Sequence, residues 1–219
     1  MYKLRMRISM SLDGFVAGPR QSIDNPLGIG GERLHDWAVE LDAWRQAHGK
    51  TGGETNESSR VMEESIANIG ATIMGRNMFG GHPGPWNADA PWNGWWGKNP
   101  PFHHPVFVLT HHAREPLVLE GGTTFTFVTN GVESALAQAR QAARGKDIAL
   151  SGGASACQQY LAADLVDEME ISVVPILLGS GERLFDGVGD DIHGLELSRT
   201  VPAPGVVHLK FVRRPTDRS

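Results

Sequence analysis

The sequence has a single cysteine, Cys157, among its 219 residues. An internal disulfide framework, a Cys-x-x-Cys redox pair and the three-ligand zinc site of a nucleoside deaminase are therefore excluded. Because free cysteine is among the most buried residue types, Cys157, which lies in a helical stretch, is interpreted as a core residue.

The sequence also has little positive charge and no long apolar run. Its 20 Lys and Arg against 25 Asp and Glu give a formal net charge of −5, and no local run of basic residues compensates. Such a chain offers no surface that could neutralise a phosphate backbone, so we expect no nucleic-acid partner. The apolar runs fall far short of the roughly 18 to 20 residues of a membrane helix, and the first residues alternate like a strand rather than a signal peptide. We therefore expect no membrane partner and a cytoplasmic location.

Several catalytic and cofactor motifs are absent as well. No Gly-x-Gly-x-x-Gly follows the first predicted strand, and the segment around Ser155 lacks the second glycine of a nucleophile elbow. Tyr160 has no lysine four residues on, which excludes the Tyr-x-x-x-Lys pair of short-chain dehydrogenases. The pairs His103-His104 and His111-His112 have no carboxylate-backed metal spacing, and adjacent strand residues face opposite sides. No metal site is expected.

What the sequence does contain is an alternation of predicted strands and helices. This order predicts an α/β fold with a mixed, mostly parallel central sheet, helices on both faces and an antiparallel C-terminal edge. The length favours a single domain over residues 1–219. Asn130 and Glu133 resemble a capping box at the start of the third helix. Strands are predicted at 4–10, 71–74, 105–110, 125–129, 148–151, 166–177, 194–200 and 205–213, and helices at 32–47, 59–68, 132–144 and 154–163.

Two segments interrupt this alternation as insertions. Residues 48–58 are polar and glycine-rich and predict an inserted or mobile loop. Residues 80–105 carry glycine, proline, almost no charge and four of the six tryptophans. A loop of this length is usually functional or disordered, and its aromatic content argues against disorder. Its tryptophans either stack on the ring of a substrate or pack the loop down as a hydrophobic cluster.

Three predicted strands end in residues that suit a phosphate group. Ser151-Gly152-Gly153 leads into a helix that begins with Ala154 and Ser155, so bare backbone and a helix N-terminus could receive a pyrophosphate, although the glycines could also serve only a tight turn. Gly75-Arg76 places a guanidinium after another strand, where a surface salt bridge is the alternative. Thr110-His111 follows a third strand. Three such ends in one sheet predict a nucleotide site.

Five motifs occur in order across nearly the whole chain: Ser11 to Gly18 (SLDGFVAG), Ile73 to Arg76, Val108 to Thr110, Ser151 to Gly153, and Val174 to Gly181 (VPILLGSG). In this order the sequence resembles the dihydrofolate reductase-like superfamily and, more narrowly, the riboflavin-biosynthesis reductase (RibD C-terminal) domain family. The resemblance implies an NADPH-dependent reductase. It further implies that Val16 and Ala17 cover the nicotinamide, that Gly75, Arg76, Thr110 and His111 hold the adenosine phosphates, and that residues 151–155 hold the pyrophosphate.

The resemblance also suggests catalytic and substrate residues. Asp36 could correspond to the first-helix carboxylate that holds the pterin in dihydrofolate reductases, although an aspartate that favours the helix dipole would look the same. Asp13 could orient the substrate or relay a proton, or act only as the turn residue before Gly14. The loop 80–105 is expected to wall the substrate rather than the cofactor. The expected substrate-binding residues are Trp37, Trp92, Trp95, Trp96 and Leu178.

Together these features predict an enzyme that transfers a hydride from NADPH to a C=N or C=O carbon of a small pterin- or pyrimidine-like heterocycle. The alternative is a non-catalytic nucleotide- or flavin-binding protein of the same fold. A homodimer is the expected assembly.

Overall fold

A computed structural model gives the fold and describes residues 2–190, 192 and 194–214. The strands are β1 (Leu4–Ser11), β2 (Phe15–Ala17), β3 (Ile69–Gly75), β4 (Pro105–Leu109), β5 (Leu117–Val118), β6 (Thr124–Val128), β7 (Asp147–Leu150), β8 (Glu168–Val174), β9 (Glu182–Arg183), β10 (Leu195–Ala203) and β11 (Val206–Arg213). The α-helices are α1 (Asp36–Val39), α2 (Asp42–Ala47), α3 (Glu57–Ile66), α4 (Arg76–Phe79), α5 (Gly131–Ala143) and α6 (Ala154–Ala162), with 3-10 turns at Gly31–Leu34 and Glu120–Gly122.

Nine strands form one sheet in the order β10-β11-β8-β1-β7-β3-β4-β6-β5, and β2 pairs with β9 separately. The six strands from β8 to β6 are parallel, whereas β11, β10 and the two-residue β5 add antiparallel pairs. The predicted mixed sheet with an antiparallel C-terminal edge is confirmed. Because β7, β3 and β4 are neighbours, the three strand ends predicted to suit a phosphate meet at one edge of the sheet.

The two faces of the sheet differ in chemistry. One face is apolar and packs against α5 and α6, with Met6, Ile73 and Ile148 among its buried side chains. The opposite face is divided: the β3, β4 and β6 part is apolar and packs under residues 80–104. The β1, β8 and β11 part carries polar side chains such as Arg7 and His208, which hydrogen-bond to α3. Helices therefore cover both faces, as predicted.

The predicted single helix over residues 32–47 is wrong. The structure divides this segment into the turn Gly31–Leu34 and the short helices α1 and α2. Leu41 is extended (φ −71°, ψ 139°), and the N–H of Asp42 bonds to the carbonyl of Glu54 instead of a preceding helical carbonyl. Residues 48–58 fold back along Leu41 and interrupt the helix. The apolar periodicity therefore predicted which side chains face the core, but not that the backbone helix is broken.

The predicted capping box at Asn130 is also not formed. The Asn130 side chain makes no capping hydrogen bond, and Gly131 follows it with a left-handed φ of 86°. A capping box occurs instead at α3, where Asn56 Oδ1 accepts from the N–H of Ser58 and Ser59 Oγ accepts from the N–H of Asn56. The second predicted helix therefore begins at Glu57, earlier than the expected residue 59.

Cys157 lies in the core, fully buried in α6, as predicted. Burial raises the pKa of its thiol to about 12, so the thiol stays protonated at neutral pH.

Among the described residues, no helix is both long and apolar enough to cross a bilayer. Within the same residues, no three His, Cys, Asp or Glu side chains come together in a way that could hold a metal ion.

Candidate active site

A cleft of about 660 Å³ lies at the carboxyl ends of β7, β3 and β4, and we call it the edge cleft. The structure brings together in its lining every residue that the sequence predicted for the cofactor. These residues are Val16, Ala17, Gly75, Arg76, Thr110, His111, Ser151, Gly152, Gly153, Ala154 and Ser155.

The edge cleft contains the uncapped N-terminus of α6. Gly153 occupies the N-cap position without a side-chain hydrogen bond, and the first intrahelical bond runs from the N–H of Cys157 back to its carbonyl. A Cβ built on Gly153 would meet no atom within 4 Å, so open space lies in front of this backbone. The cis peptide bond of the turn joins Gly152 and Gly153. Bare backbone next to free helical amides fits a pyrophosphate.

Arg76 supplies a cation to the edge cleft. Its Cζ lies 3.7 Å from the centroid of the Trp86 ring, and its Nη2 donates to the carbonyl of His82 at 2.8 Å. Its Nε is buried without a partner, and no carboxylate forms an ion pair with it among the residues described. Burial, and then the charge of Arg114, lowers the pKa of Arg76. The guanidinium is thus oriented by stacking, and no described carboxylate neutralises its charge, which suits an anion.

The turn after β4 completes this side of the edge cleft. Thr110 is nearly buried, and its Oγ1 accepts from the backbone N–H of His112 at 3.1 Å, while His111 is exposed. The indole N–H of Trp86 donates to the carbonyl of His112 at 2.8 Å. The Thr110 hydroxyl therefore shapes the turn, and the aromatic loop holds the turn in place.

A second cleft, of about 1130 Å³, crosses the divided face of the sheet, and we call it the face cleft. It runs between α2 and α3 on one side and residues 96–105 on the other, and it extends to the end of α5 at residues 141–146. Its floor includes Arg7, Ser9 and Thr72. The two clefts adjoin, because five residues line both: Ile8, His35, Met78, Trp96 and Ser151.

Asp13 lines neither cleft. Its carboxylate accepts hydrogen bonds from Ser11 Oγ at 2.6 Å and from the N–H groups of Leu178 and Gly179, the last at 2.7 Å. The Ser11 hydrogen bond, aided by these backbone groups, lowers the pKa of Asp13 to about 2. Asp13 therefore ties the loop after β1 to the loop after β8. Leu178 packs near Leu34 and also lies outside both clefts.

Asp36 is exposed and lines neither cleft, so the structure does not bring it to the other predicted site residues. The residue before it, His35, lies where the two clefts adjoin. Its Nδ1 is buried with no hydrogen-bond partner in the described part of the chain. Burial, and then the nearby charge of Arg7, lowers the pKa of His35, so the ring is neutral at physiological pH.

The predicted substrate tryptophans are distributed over both clefts. Trp37 lines the face cleft, and its indole N–H donates to Ser9 Oγ at 3.2 Å and to the carbonyl of Leu34 at 3.1 Å. Trp96 lines both clefts, Trp95 lines the edge cleft only, and Trp92 lines neither. The loop therefore borders both clefts, which differs from the expected division between substrate and cofactor.

The loop is held down by its own aromatic side chains. The indole N–H groups of Trp92 and Trp95 donate to the backbone carbonyls of Phe79 and Met78 at 2.8 and 3.0 Å. Trp86 packs edge-on against Phe127 at 4.9 Å. Of the two roles considered for these tryptophans, packing describes Trp92, whereas Trp95 and Trp96 combine packing with a position on a cleft.

Sequence reasoning missed the polar floor of the face cleft. Arg7 lies beside Glu170 on the neighbouring strand, and Ser9 lies beside Ser172. The exposed fractions of Glu170 and Ser172 are only 8% and 1%. The available signal was the alternation of charged and apolar residues along β1 and β8. Strands of a parallel sheet are usually apolar on both faces, so this alternation is unusual.

The family model of the RibD C-terminal domain matches residues 2–209. The chain belongs to the RibD C-terminal domain family. Among curated proteins, it is 33% identical over 88 residues to the uncharacterized protein YwjB of Bacillus subtilis, covering 40% of this chain and about half, 49%, of that protein.

Solved structures agree on the fold. A Shewanella sp. PV-4 protein assigned to riboflavin biosynthesis is 22% identical with a TM-score of 0.56, and the match covers 97% of this chain and 99% of that one. Dihydrofolate reductase from Enterococcus faecalis, complexed with NADP(H), is 13% identical with a TM-score of 0.51, covering 97% of this chain and 96% of that one. The predicted dihydrofolate reductase-like fold is confirmed.

Proposed function

We propose that the protein is an NADPH-dependent reductase that transfers a hydride to a C=N or C=O carbon of a small pterin- or pyrimidine-like heterocycle. The observation that carries the proposal is the adjoining of two clefts of different chemistry. The edge cleft offers backbone amides and a cation, and the face cleft offers aromatic walls. A phosphate-bearing cofactor suits the first, and a flat ring suits the second.

In this proposal the edge cleft holds NADPH. Gly153 and the first turn of α6 bind the pyrophosphate, because open space and uncapped amides lie there. Arg76, with the turn at Thr110 and His111, binds the adenosine phosphates, because its guanidinium lines the cleft and no described carboxylate pairs with it. Val16 and Ala17, which are buried and line the same cleft, cover the nicotinamide.

NADPH, when bound, supplies the hydride, so the chain has to orient the substrate and exclude water. Asp13 acts as a positioning residue in the loop that carries Val16, since its pKa of about 2 keeps it ionised at neutral pH. His35 offers a neutral imidazole where the clefts adjoin and hydrogen-bonds the substrate there.

Family membership and the Shewanella protein support a reductase step in riboflavin biosynthesis as the biological setting. The enterococcal complex with NADP(H) supports the choice of cofactor. The homodimer stays a prediction.

One observation favours the second candidate, a non-catalytic nucleotide-binding protein of the same fold. Neither Asp13 nor Asp36, the carboxylates expected for catalysis, lines a cleft. Absorbance at 340 nm distinguishes the two candidates when the protein is mixed with NADPH and a panel of dihydropterins, aminopyrimidinones and quinones. Oxidation of NADPH with any acceptor supports the reductase. Tight binding without oxidation by the whole panel supports the second candidate.

Cofactor preference gives an independent test through Arg76→Gln. We expect NADPH affinity to fall about 10- to 100-fold and NADH affinity to change little, because a lost charge-assisted phosphate contact costs about 1.5 to 3 kcal/mol and only NADPH carries the extra phosphate. Arg114→Gln is the matched control, since Arg114 also stacks on Trp86, with its Cζ 5.1 Å from the ring centroid, but does not line the edge cleft. Equal losses for both cofactors in fluorescence titrations would assign Arg76 to structure instead.

A further inference from the structure

Residues 42–53, which we call the arm, differ from the rest of the fold in how little of them is buried. The arm contains α2 and the glycine-rich loop after it, and no residue of α2 is buried. Every residue from Gln46 to Thr55 is exposed. The nearest buried residues on either side, Leu41 and Ser58, are 0% and 1% exposed. The arm therefore extends outward from two buried anchors.

Hydrogen bonds attach the arm to the fold only at its base. The N–H of Asp42 donates to the carbonyl of Glu54 at 3.0 Å, and the N–H of Glu54 donates to the carbonyl of Glu40 at 2.7 Å. No hydrogen bond or ion pair joins the arm to any described residue outside 40–54. A Cβ on Gly53 would lie 2.6 Å from the backbone nitrogen of Asp42, so the two ends of the arm pass closely only because residue 53 is glycine.

The apolar contacts of the arm are also few. Ala43 and Trp44, both half-buried, pack at the edge of a small cluster formed by Ala38, Leu41 and Met62. Because a helix of six residues is not stable on its own, α2 depends on these contacts and on the base. Segments with so few buried contacts open locally at a small cost in free energy. We therefore expect the arm to open and close while the sheet stays folded.

Contacts within the arm hold its aromatic side chains together. His48 stacks on Trp44 with ring centroids 3.9 Å apart and an angle of 20° between the rings, and His48 Nδ1 lies 2.8 Å from the carbonyl oxygen of Trp44. Lys50 Nζ lies 5.1 Å from the centroid of the Trp44 ring, and the N–H of Lys50 donates to the carbonyl of Arg45 at 2.8 Å. Because these contacts are internal to the arm, the arm can move at its base as one unit.

One side of the arm lines the face cleft. The arm residues in the lining are Ala43, Trp44, Ala47 and His48. Trp96 and Phe102 line the same cleft from the opposite wall. The cleft of about 1130 Å³ is larger than the range of about 300 to 1,000 Å³ that is usual for sites of drug-sized ligands. A single flat ring fills only a small part of this volume, so contact with both walls requires that one wall moves.

We propose that the arm is a lid that closes over a flat substrate ring in the face cleft, with Trp44 as the side chain that stacks on the ring. Closure buries apolar surface of Ala43 and Trp44 that is in contact with water in the open cleft, and this gain offsets the ordering of the arm. It also excludes water from the substrate. This inference rests on the proposed function, because it places the substrate ring in the face cleft.

Hydrogen exchange of the full chain, followed by mass spectrometry, tests the lid with 6-methylpterin as the probe. In the free protein, the amides of residues 43–50 should exchange at least about tenfold faster than those in the middle of α3, the internal reference. Saturating 6-methylpterin should slow exchange of the arm at least about fivefold. NADPH alone should leave it unchanged, because no arm residue lines the edge cleft.

Three results of this experiment overturn the proposal. The first is an arm that is as well protected as α3 in the free protein. The second is a protein that does not bind 6-methylpterin, and the third is an arm whose exchange is the same with and without bound 6-methylpterin.

Variants test the role of Trp44. Trp44→Ala should weaken 6-methylpterin binding about 2- to 10-fold, the range of one aromatic contact, and the probe should no longer slow exchange of the arm. Gln46→Ala is the matched control, since Gln46 lies on the same helix but does not line the face cleft, and it should keep both properties. If Trp44→Ala disrupts α2, Trp44→Phe keeps a stacking ring and should restore both the affinity and the slowed exchange. Wild-type affinity and exchange in a folded Trp44→Ala protein overturn the proposal, as does a loss in Trp44→Phe equal to that in Trp44→Ala.

The outcomes separate this inference from the proposed function. Binding and oxidation of NADPH by a protein whose arm never closes would contradict the lid alone. Closure of the arm on 6-methylpterin in a protein that oxidises NADPH with no acceptor would support the lid and contradict the proposed reductase.

Discussion

The edge cleft and the face cleft are built in different ways. The edge cleft is made mostly of short continuous segments at strand ends, such as 75–76 and 151–155, and much of its binding surface is backbone. The face cleft is made of single side chains contributed by strands and helices that lie far apart in the sequence, among them Arg7, Trp37 and Glu170. A backbone site depends on local glycine and helix patterns, whereas a side-chain site depends on which strands become neighbours.

The two clefts also differ in how their charges are arranged. Arg76 in the edge cleft has no ion-pair partner among the described residues, which leaves a positive site suited to phosphate. The floor of the face cleft alternates signs, because Glu168 pairs with Lys210 at 3.1 Å and Glu170 lies between Arg7 and Arg199. The edge cleft therefore offers a local cation at Arg76, whereas the face cleft carries further cations beside its two carboxylates, among them Arg5, Lys146 and Lys210.

The strongest test of this comparison is Gly153→Val. Gly153 has an extended backbone with φ −69°, and its added Cβ would enter open space, so the variant should fold. The branched side chain would occupy the place assigned to the pyrophosphate, and we expect NADPH affinity to fall by at least about 100-fold, or about 2.7 kcal/mol. Fluorescence titration measures the loss, and thermal unfolding checks the fold.

Gly153→Ala is the graded control and should weaken NADPH binding less, because a single methyl group fills less of the open space in front of Gly153. A folded Gly153→Val protein with normal NADPH affinity would contradict the assignment of the edge cleft.

The contrast between the clefts explains what could be predicted from the sequence. The succession of strands and helices along the chain, and the strand ends that line the edge cleft, followed from periodicity and from glycines at strand ends, which are local features. The helix break at Leu41 could not be predicted, because it depends on pairing with Glu54, thirteen residues later. The buried position of Glu170 depends on α3 covering β8, a tertiary contact that local propensity does not contain. Asp36 was predicted as a site residue because it resembles the first-helix carboxylate of dihydrofolate reductases. In the structure the helix is broken and Asp36 is exposed.

A second test concerns His208, a buried histidine that lies beneath the floor of the face cleft. Its ring nitrogens bond to Ser58 Oγ and Ser172 Oγ at 2.8 and 2.9 Å, and its ring lies 4.8 Å from that of Trp37. Burial, aided by Arg7 and Arg199, lowers its pKa from 6.5 to about 4. Because the unfolded chain binds the proton more readily, stability is complete above pH 6.5 and falls toward pH 4.

For His208 alone, we expect the free energy of unfolding to be about 2 kcal/mol lower at pH 5 than at pH 7.5. Urea unfolding at both pH values measures the difference in wild-type protein and in His208→Gln, which should lose about 2 kcal/mol less. His104→Gln is the matched second variant, since burial lowers the pKa of His104 to about 4 as well. In the double variant the two decreases in pH dependence should add. An unchanged pH dependence in His208→Gln would show that the floor of the face cleft does not hold this histidine neutral.

The smallest expected effect separates two tryptophans of one loop. Trp92 and Trp95 pack edge-on at 4.5 Å, and both donate to carbonyls at the end of α4, but only Trp95 lines the edge cleft. Trp95→Leu should therefore weaken NADPH binding about 2- to 10-fold, the range of one aromatic contact, and Trp92→Leu should leave it unchanged at a similar cost in stability. Titration of both variants beside thermal unfolding decides the matter. Equal losses of NADPH affinity would mean that the loop acts on the edge cleft as one packed unit, whether or not the substituted tryptophan lines the cleft.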